Sequence, residues 1–165
     1  MEDLYPWIVV AHVLGALLFA LAHGVSVLVA FSLRPERDPI RIRAFLDLSG
    51  SSLGLTYGGL LVLLLAGIVA GVAHGWFAYA WPWVAIVILV LIAILMSLRG
   101  SMYYAEVRHA VGLRSFLDKP DAPTPKPASP EALARLLATR RPEELAVEGG
   151  LGLAVLVWLM VAKPF

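Results

Sequence analysis

The chain has 165 residues, of which 60% are hydrophobic, with a mean hydropathy of +0.83, a net charge of +1 and no cysteine. A soluble domain is nearer half apolar and its apolar residues are dispersed, so this composition excludes an ordinary soluble protein. The lack of cysteine excludes disulfides, thiolate metal sites, iron–sulfur clusters and covalently attached c-type haem.

Four apolar runs approach or exceed the roughly 20 residues that a helix needs to cross the hydrocarbon core. They predict transmembrane helices over about residues 7–33, 53–79, 81–111 and 145–162. We therefore predict an all-α, integral membrane four-helix bundle that forms one domain over residues 1–165. Because Glu2 and Asp3 stand where a signal peptide carries basic residues, we expect the first run to be a mature helix.

The basic residues are concentrated in two connections. Of the 13 lysines and arginines, four lie in residues 34–43, eight in residues 99–141 and one at Lys163. With four spans, both connections lie on the same side, and the positive-inside rule places them in the cytoplasm. Both termini are then expected outside, in a protein of the bacterial cytoplasmic (inner) membrane.

Both basic connections contain short amphipathic stretches. Residues 34–52 mix arginines with apolar residues, which is typical of a helix lying on the inner membrane surface. Residues 119–130 contain five prolines and predict an extended cytoplasmic linker. Ser129 and Pro130 then favour the start of a short interfacial helix over about residues 130–141.

Aromatic residues cluster at the expected outer ends of the helices. The cluster comprises Tyr5, Trp7, Trp76, Phe77, Tyr79, Trp81 and Trp83. Such a cluster is typical of an interfacial aromatic belt. The alternative is that some of these rings line a quinone or haem pocket.

Glycines recur at every fourth residue near the end of the second run, at Gly67, Gly71 and Gly75. Spacing of this kind lets helices approach closely in lipid. The pattern predicts either helix–helix packing or clearance for a flat cofactor beside His74.

Histidines are the side chains that offer chemistry within the membrane. His12 and His23 lie in the uncharged first run, where a titratable group is costly to place and often functional. Counted from the flanking tryptophans, His12 lies about 7.5 Å deep and His74 about 3 Å deep on the antiparallel second helix. Their similar depth predicts that they ligate one haem b axially near the outer face. His23 and His109 have no partner at their own depth.

Two alternatives stay open for His12 and His74. One is a structural role, in which each ring makes a hydrogen bond between helices. The other is binding of copper or another metal. Copper prefers histidine together with methionine or cysteine, and the four methionines form no cluster with these histidines.

No catalytic motif is present in the sequence. It contains no Walker A sequence, no Gly-x-Ser-x-Gly elbow and no His-Glu-x-x-His. Glu148 is the only acidic residue near an expected membrane interior, so no buried carboxylate pair is expected. We expect no catalytic activity of the chain's own.

Four short motifs are spread through the chain. They are His-Val-Leu-Gly-Ala at residues 12–16, Gly-Trp at 75–76, Trp-Pro-Trp at 81–83 and Met-Val-Ala-Lys-Pro at 160–164. Through them, and through Gly67 in the second run, the chain resembles an uncharacterised family of small bacterial four-span integral membrane proteins. That family is distantly similar to the membrane domain of copper-resistance D proteins. The resemblance implies a four-span topology and carries over His12.

Together these features predict a small membrane subunit of a redox or respiratory complex. It would hold one haem b between His12 and His74, beside Gly67 and Gly71, and transfer electrons near the outer face. The expected partners are the lipid bilayer, a larger membrane oxidoreductase and quinone, with no nucleic acid. Two alternative functions are a purely structural accessory subunit without a cofactor and a permease that handles copper or another metal.

Overall fold

The computed structural model describes residues 2–165 and is mostly helical. Helix accounts for 79% of the chain, and the described residues contain no strand. The α-helices in chain order are α1 Tyr5–Leu33, α2 Pro39–Ala73, α3 Trp81–Ala110, α4 Pro130–Leu137 and α5 Arg141–Ala162. Two short 3-10 turns, Glu2–Leu4 and Trp76–Ala78, precede α1 and α3 respectively.

Four helical segments are long and apolar enough to cross a membrane. They are α1, α2, α3 and the segment Pro130–Ala162, which contains α4 and α5. The prediction of an all-helical chain with four such helices is confirmed. Their outward faces carry large apolar side chains, such as Leu21 and Leu28, that are about 70% exposed, as a lipid-facing surface requires.

Helix α2 begins well before the predicted residue 53. Asp38 caps it by accepting a hydrogen bond from the Ile40 backbone N–H at 2.9 Å, and Pro39 occupies the first turn, where its missing N–H costs nothing. The stretch expected to lie separately on the membrane surface is instead the first part of α2. Its 35 residues measure about 52 Å, so α2 extends beyond a hydrocarbon core of roughly 30 Å.

The short helix α4 also differs from the prediction, because its apolar face is covered by protein rather than turned to the membrane surface. Ser129 caps it as expected, accepting from the Ala132 backbone N–H. Leu133 and Leu137 are then buried, at 7% and 0% exposure. The helix ends at Leu137, before the predicted residue 141. Pro142 lies in the first turn of α5, which therefore starts before the predicted residue 145.

Helices α1 and α2 form a tight antiparallel pair. As the residue number rises along α1, its contact on α2 falls: Tyr5 with His74, His12 with Gly67, Gly15 with Leu63, and Ser26 with Ser52. The closest approach is at Gly15 and Gly59. A Cβ atom on Gly59 would lie 2.6 Å from the Phe19 backbone nitrogen, so only glycine fits there.

Helices α3 and α5 form the second pair. The end of the bundle that carries the basic connections is called the inner end and the opposite end the outer end, after the orientation predicted from the sequence. At the outer end, Trp81 and Ala85 of α3 bury themselves against Leu159 of α5. Gly152 of α5 lies so close to Ile92 that no Cβ fits without movement of that side chain. The two pairs touch each other much less than the helices within each pair, which leaves a cleft between them along the middle of the bundle.

The best packed region lies at the end of the bundle that carries the basic residues. Its core is formed by residues of α1, α2, α3 and α4, together with Val111 directly after α3. The core members are Val29, Ala30, Leu33, Ile42, Leu46, Tyr103, Val107, Val111, Leu133 and Leu137. This inner-end core fixes the cleft at one end, where the four segments converge.

Ion pairs connect the first turns of α5 to both helix pairs. Arg34 of α1 donates to Glu143, and Arg99 of α3 donates to Glu144 and to Glu148. The only acidic side chain expected near the membrane interior, Glu148, is therefore paired with Arg99. These contacts hold α5 beside α3 along the same border of the cleft.

Candidate functional site

His12 lies in the α1–α2 contact. Its Nδ1–H donates to the Leu63 carbonyl oxygen at 2.8 Å, because a carbonyl can only accept. A Cβ on Gly67 would lie 2.9 Å from the ring, so Gly67 provides the clearance for this side chain rather than for a cofactor. In the neutral ring, Nε2 keeps its lone pair and could still act as a ligand.

His74 lies at the outer end of α2 and is exposed. It is the C-terminal cap residue of that helix, and its ring stacks on Tyr5 with a centroid distance of 3.7 Å. Gly67 and His74 are seven residues apart, which places the ring of His74 about 10 Å along the helix from the level of His12. The two rings therefore lie at different levels and in different contacts, and their shared ligation of one haem b stays a prediction.

The glycines of the predicted stripe have three different environments. Gly67 lies against His12, and Gly71 lies against the ring of Phe77, 2.8 Å from its would-be Cβ. Gly75 follows the helix end with φ of +67°, a left-handed conformation that favours glycine. The close helix–helix contacts occur elsewhere, at Gly15 and Gly59.

Metal ligands do not converge in the described chain. Within residues 2–165 no group of three His, Cys, Asp or Glu side chains is placed to hold a metal ion. His109 donates through Nε2–H to Asp118 at 2.8 Å, in the connection after α3. The predicted metal site at His12 and His74 would have to be completed by ligands from outside this arrangement.

The outer aromatic residues surround the end of the helices and the C-terminal residues. The Lys163 ammonium lies 4.1 Å from the centre of the Trp76 ring, and Trp76 also contacts Trp81 edge to face. Trp7 and Trp83 are mostly exposed, at 70% and 56%. None of these rings, all within the described residues, lines the cleft, so this arrangement is that of a belt.

A cluster of hydroxyl groups occupies the inner half of the α1–α2 contact. Ser26 lies 3.0 Å from the Ser49 hydroxyl and 3.4 Å from the Ser52 hydroxyl. The Tyr104 hydroxyl of α3 donates to the Ser26 carbonyl oxygen. Ser49 and Ser52 are buried, so these polar groups satisfy one another away from water and tie α3 to the first pair.

Two polar side chains beside this cluster have no such partner. His23, one turn before Ser26, stacks on Phe19 at 5.7 Å, and no hydrogen-bond partner for its ring nitrogens is found within residues 2–165. The hydroxyl of Tyr103 is fully buried and unpaired among the same residues. A buried polar atom without a partner costs free energy. The His23 ring is half-buried and therefore accessible to a ligand, whereas the Tyr103 hydroxyl is not.

The cleft between the helix pairs is a cavity of about 760 Å³, within the range of small-molecule sites. Its walls are mainly apolar, from Phe19 and Leu60 at mid-height to Leu145 on α5. Besides two arginines, its polar residues are His23, Ser26, Ser49, Thr56, Tyr57, Ser97, Ser101, Tyr103 and Tyr104. At the inner end the residues that line the cavity include Arg108, Arg114 and Phe116.

Asp118 holds the loop that carries Arg114 and Phe116 at this inner end. Its carboxylate accepts from the Ser115 backbone N–H at 2.7 Å and from His109. The hydrogen bond from the Ser115 N–H, followed by the contact with His109, lowers the pKa of Asp118 below its usual 3.8. A lowered pKa means that this stabilisation is fully present above about pH 4 and is lost as the pH falls through the value in the folded protein.

Replacing Asp118 with asparagine should therefore loosen the loop at neutral pH. We expect amide hydrogen exchange across residues 113–118 to be about fivefold faster, equivalent to about 1 kcal/mol, because the neutral amide oxygen of asparagine accepts more weakly than a carboxylate. Asp121→Asn, an exposed carboxylate in the same linker, is the matched control. Equal exchange in wild type and Asp118→Asn would contradict the role given to this carboxylate.

Neither this cavity nor its hydroxyl cluster is predicted by the sequence analysis. The signal that was present is small polar residues at Ser26, Ser49 and Ser52 next to a membrane histidine, His23. The depths estimated from the sequence gave His23 no partner, because the depth of each histidine was compared only with the depths of the other histidines.

No protein-family model, curated protein or solved structure matches this chain, so the likeness to the copper-resistance D membrane domain stays a prediction.

Proposed function

We propose that this chain is a multi-pass protein of the bacterial cytoplasmic membrane, with both termini outside and both basic connections in the cytoplasm. The four apolar helical segments support the membrane location. The positive-inside rule supports the orientation, because the connections that carry 12 of 13 basic residues lie at the inner-end core.

Within that membrane, the chain binds a lipophilic small molecule that enters sideways from the bilayer. The observation that carries this proposal is the cavity of about 760 Å³ between two helix pairs that barely touch. Apolar walls with a few convergent polar groups are typical of ligand sites. The tail of the ligand would contact Phe19, Leu60 and Leu145, and a polar atom would meet His23.

Quinone is one lipophile of this kind and is the expected partner if the chain serves a redox complex. A quinone carbonyl accepts hydrogen bonds, and a suitably protonated His23 can donate one. In this role the chain would present the carrier to a larger membrane oxidoreductase, without bond chemistry of its own.

The test is to fill the cavity at a position where the backbone tolerates it. Gly100 lines the cavity, and a Cβ there meets nothing within 4 Å. Gly54 is equally open but lies on an exposed face of α2, so Gly54→Leu is the matched control. The readout is native mass spectrometry of detergent-purified protein, followed by identification of retained lipophiles in an organic extract.

We expect wild type and Gly54→Leu to retain a lipophile and Gly100→Leu to lose it by at least about tenfold, a change of roughly 1.4 kcal/mol. Equal retention in all three proteins would overturn the cavity as the binding site. A wild-type protein that retains nothing, although folded, would instead favour the purely structural accessory subunit.

Haem ligation is a second candidate, and it concerns His12 rather than the predicted pair. The Nδ1–H of His12 is fixed by the Leu63 carbonyl, which leaves Nε2 free in the way metal-ligating histidines often are. An absorbance spectrum of the purified protein tests it: a Soret band that disappears in His12→Ala would support it. Bound copper in a colourless preparation would support the metal-handling permease.

A further inference from the structure

We propose that the lipophile in the cavity is a phospholipid with an anionic headgroup, held by Arg108 and Arg114 at the inner end. This inference rests on the proposed function and specifies its ligand. Both guanidinium groups belong to the residues that line the cavity, at the end where the apolar walls stop. Basic pockets between transmembrane helices on the cytoplasmic side are suited to anionic lipid headgroups.

The loop positions Arg114, and Arg114 positions Arg108. The Arg108 Nε–H donates to the Arg114 carbonyl oxygen at 2.8 Å. Arg114 in turn donates through one terminal nitrogen to the carbonyl oxygens of Lys119 and Pro120, at 2.6 and 2.8 Å. Each guanidinium has five N–H donors, so both keep donors for a phosphate after these contacts.

The charges around this end favour an anion. Arg43 of α2 donates to the Val111 carbonyl oxygen, which brings a third arginine to the end of α3. The facing acid is Asp47, whose carboxylate lies 3.7 Å from Arg108 and is 72% exposed. Asp118 is engaged by Ser115 and His109. Three arginines against the two carboxylates of Asp47 and Asp118 leave a net charge of +1, and so a positive potential, at the mouth of an apolar cavity.

The geometry of the cavity matches a molecule with one charged end. Its span along α3 runs from Leu89 to Arg108, which is nineteen residues, or about 28 Å. Phe116, 67% exposed beside Arg114, would lie among the acyl chains at the border of the membrane. A neutral quinone could accept hydrogen bonds from the arginines but would not neutralise their charge, whereas an anionic phospholipid places a negative charge at this end and acyl chains along the apolar walls.

The test compares two charge-removing double variants of the full-length protein in neutral detergent. Arg108→Gln with Arg114→Gln removes the proposed headgroup contacts. Arg135→Gln with Arg140→Gln is the matched control, since these arginines are exposed and do not line the cavity. Binding is measured by fluorescence anisotropy with tail-labelled phosphatidylglycerol, and with tail-labelled phosphatidylcholine as the zwitterionic counterpart.

We expect wild type to bind phosphatidylglycerol more tightly than phosphatidylcholine. Each lost arginine should weaken binding about fivefold, so the Arg108→Gln/Arg114→Gln variant should bind about 25-fold more weakly and the control should be unchanged. The Arg108→Lys/Arg114→Lys variant keeps both charges and should retain most of the affinity, which guards against a folding defect of the glutamine variant.

Three outcomes would overturn the inference. The first is equal affinity for both lipids in wild type. The second is loss of preference in the control as large as in Arg108→Gln/Arg114→Gln. The third is displacement of the lipid by millimolar inorganic phosphate, which would make the free anion the ligand. If Gly100→Leu still blocks lipid binding in any of these cases, the proposed function stands and only the headgroup assignment fails.

Discussion

Replacing Gly59 with alanine should destabilise the folded protein by about 2 kcal/mol, through the contact between α1 and α2. The new Cβ would lie 2.6 Å from the Phe19 nitrogen and 3.1 Å from the Gly15 carbonyl oxygen. Both are backbone atoms of a helix, so they cannot rotate away as a flexible side chain would. Relief requires the two helices to move apart along their whole interface, which weakens the contacts of His12 and Ser26 as well.

The adjacent Gly58 provides the control, because its Cβ would meet nothing within 4 Å. Gly58→Ala should leave stability unchanged or raise it by up to about 1 kcal/mol, since alanine favours helix over glycine. Thermal unfolding of both variants in the same detergent, followed by circular dichroism, measures the difference. A Tm for Gly59→Ala at or above that of Gly58→Ala would contradict the close packing of this pair.

Replacing Leu137 with alanine should cost about 3 kcal/mol, as is usual for a fully buried leucine. Leu137 is 0% exposed and lies in the inner-end core with Leu33, Ile42 and Tyr103. The loss would release α4 from that core and free the linker that precedes it. The same experiment distinguishes a packed α4 from a helix that merely lies on the membrane surface.

Leu61→Ala is the matched control, since Leu61 is 56% exposed on the face of α2 that points away from the other helices. Its truncation exchanges a lipid contact for another lipid contact and should change the Tm little. Hydrogen exchange across residues 130–137 should rise only in Leu137→Ala. Similar Tm values and similar exchange in both variants would return α4 to the surface position predicted from its sequence.

The long apolar runs made the number of helices predictable, because membrane length and hydrophobicity constrain them directly. The boundaries were less predictable where polar and apolar residues mix. Residues 39–52 have the composition of a surface stretch, yet Asp38 and Pro39 start a helix that continues without a break into the apolar run. Ile42 and Leu46 are buried, so the apolar face of this part of α2 packs against the protein. The sequence alone does not show that burial.

The candidate site was harder to predict, since it depends on which helix faces which. Depth alone matched His12 with His74, but the register of α1 against α2 places Leu63 and Gly67 beside His12 and Tyr5 beside His74. Register in this pair is set by the backbone contacts of Gly15 with Leu63 and of Gly59 with Phe19. Gly59 lies eight residues before Gly67 and so continues the four-residue glycine spacing, but Leu63 interrupts the pattern between them. The cavity lies between the α1–α2 pair and the α3–α5 pair, so no sequence pattern within a single helix predicts it.

The ion pairs and the hydroxyl cluster explain why the cavity stays open in a protein with few contacts between its halves. At the inner end, Arg34 of α1 pairs with Glu143 of α5 and so joins the two helix pairs, and Arg99 of α3 pairs with Glu148 of α5 within the second pair. Tyr104 joins α3 to Ser26 at the height of the serines. Polar contacts therefore link the two helix pairs on either side of a space that apolar side chains do not fill.

The central claim is that the space between the α1–α2 pair and the α3–α5 pair is a ligand site. An electron cryo-microscopy map of the protein in nanodiscs of native lipid, with a bound fragment to add mass, tests it most directly. The account predicts elongated density in the space lined by Leu53, Leu60 and Leu153 that ends beside Arg108 and Arg114. A map in which the two helix pairs move together and close this space, with no density between them, would contradict it.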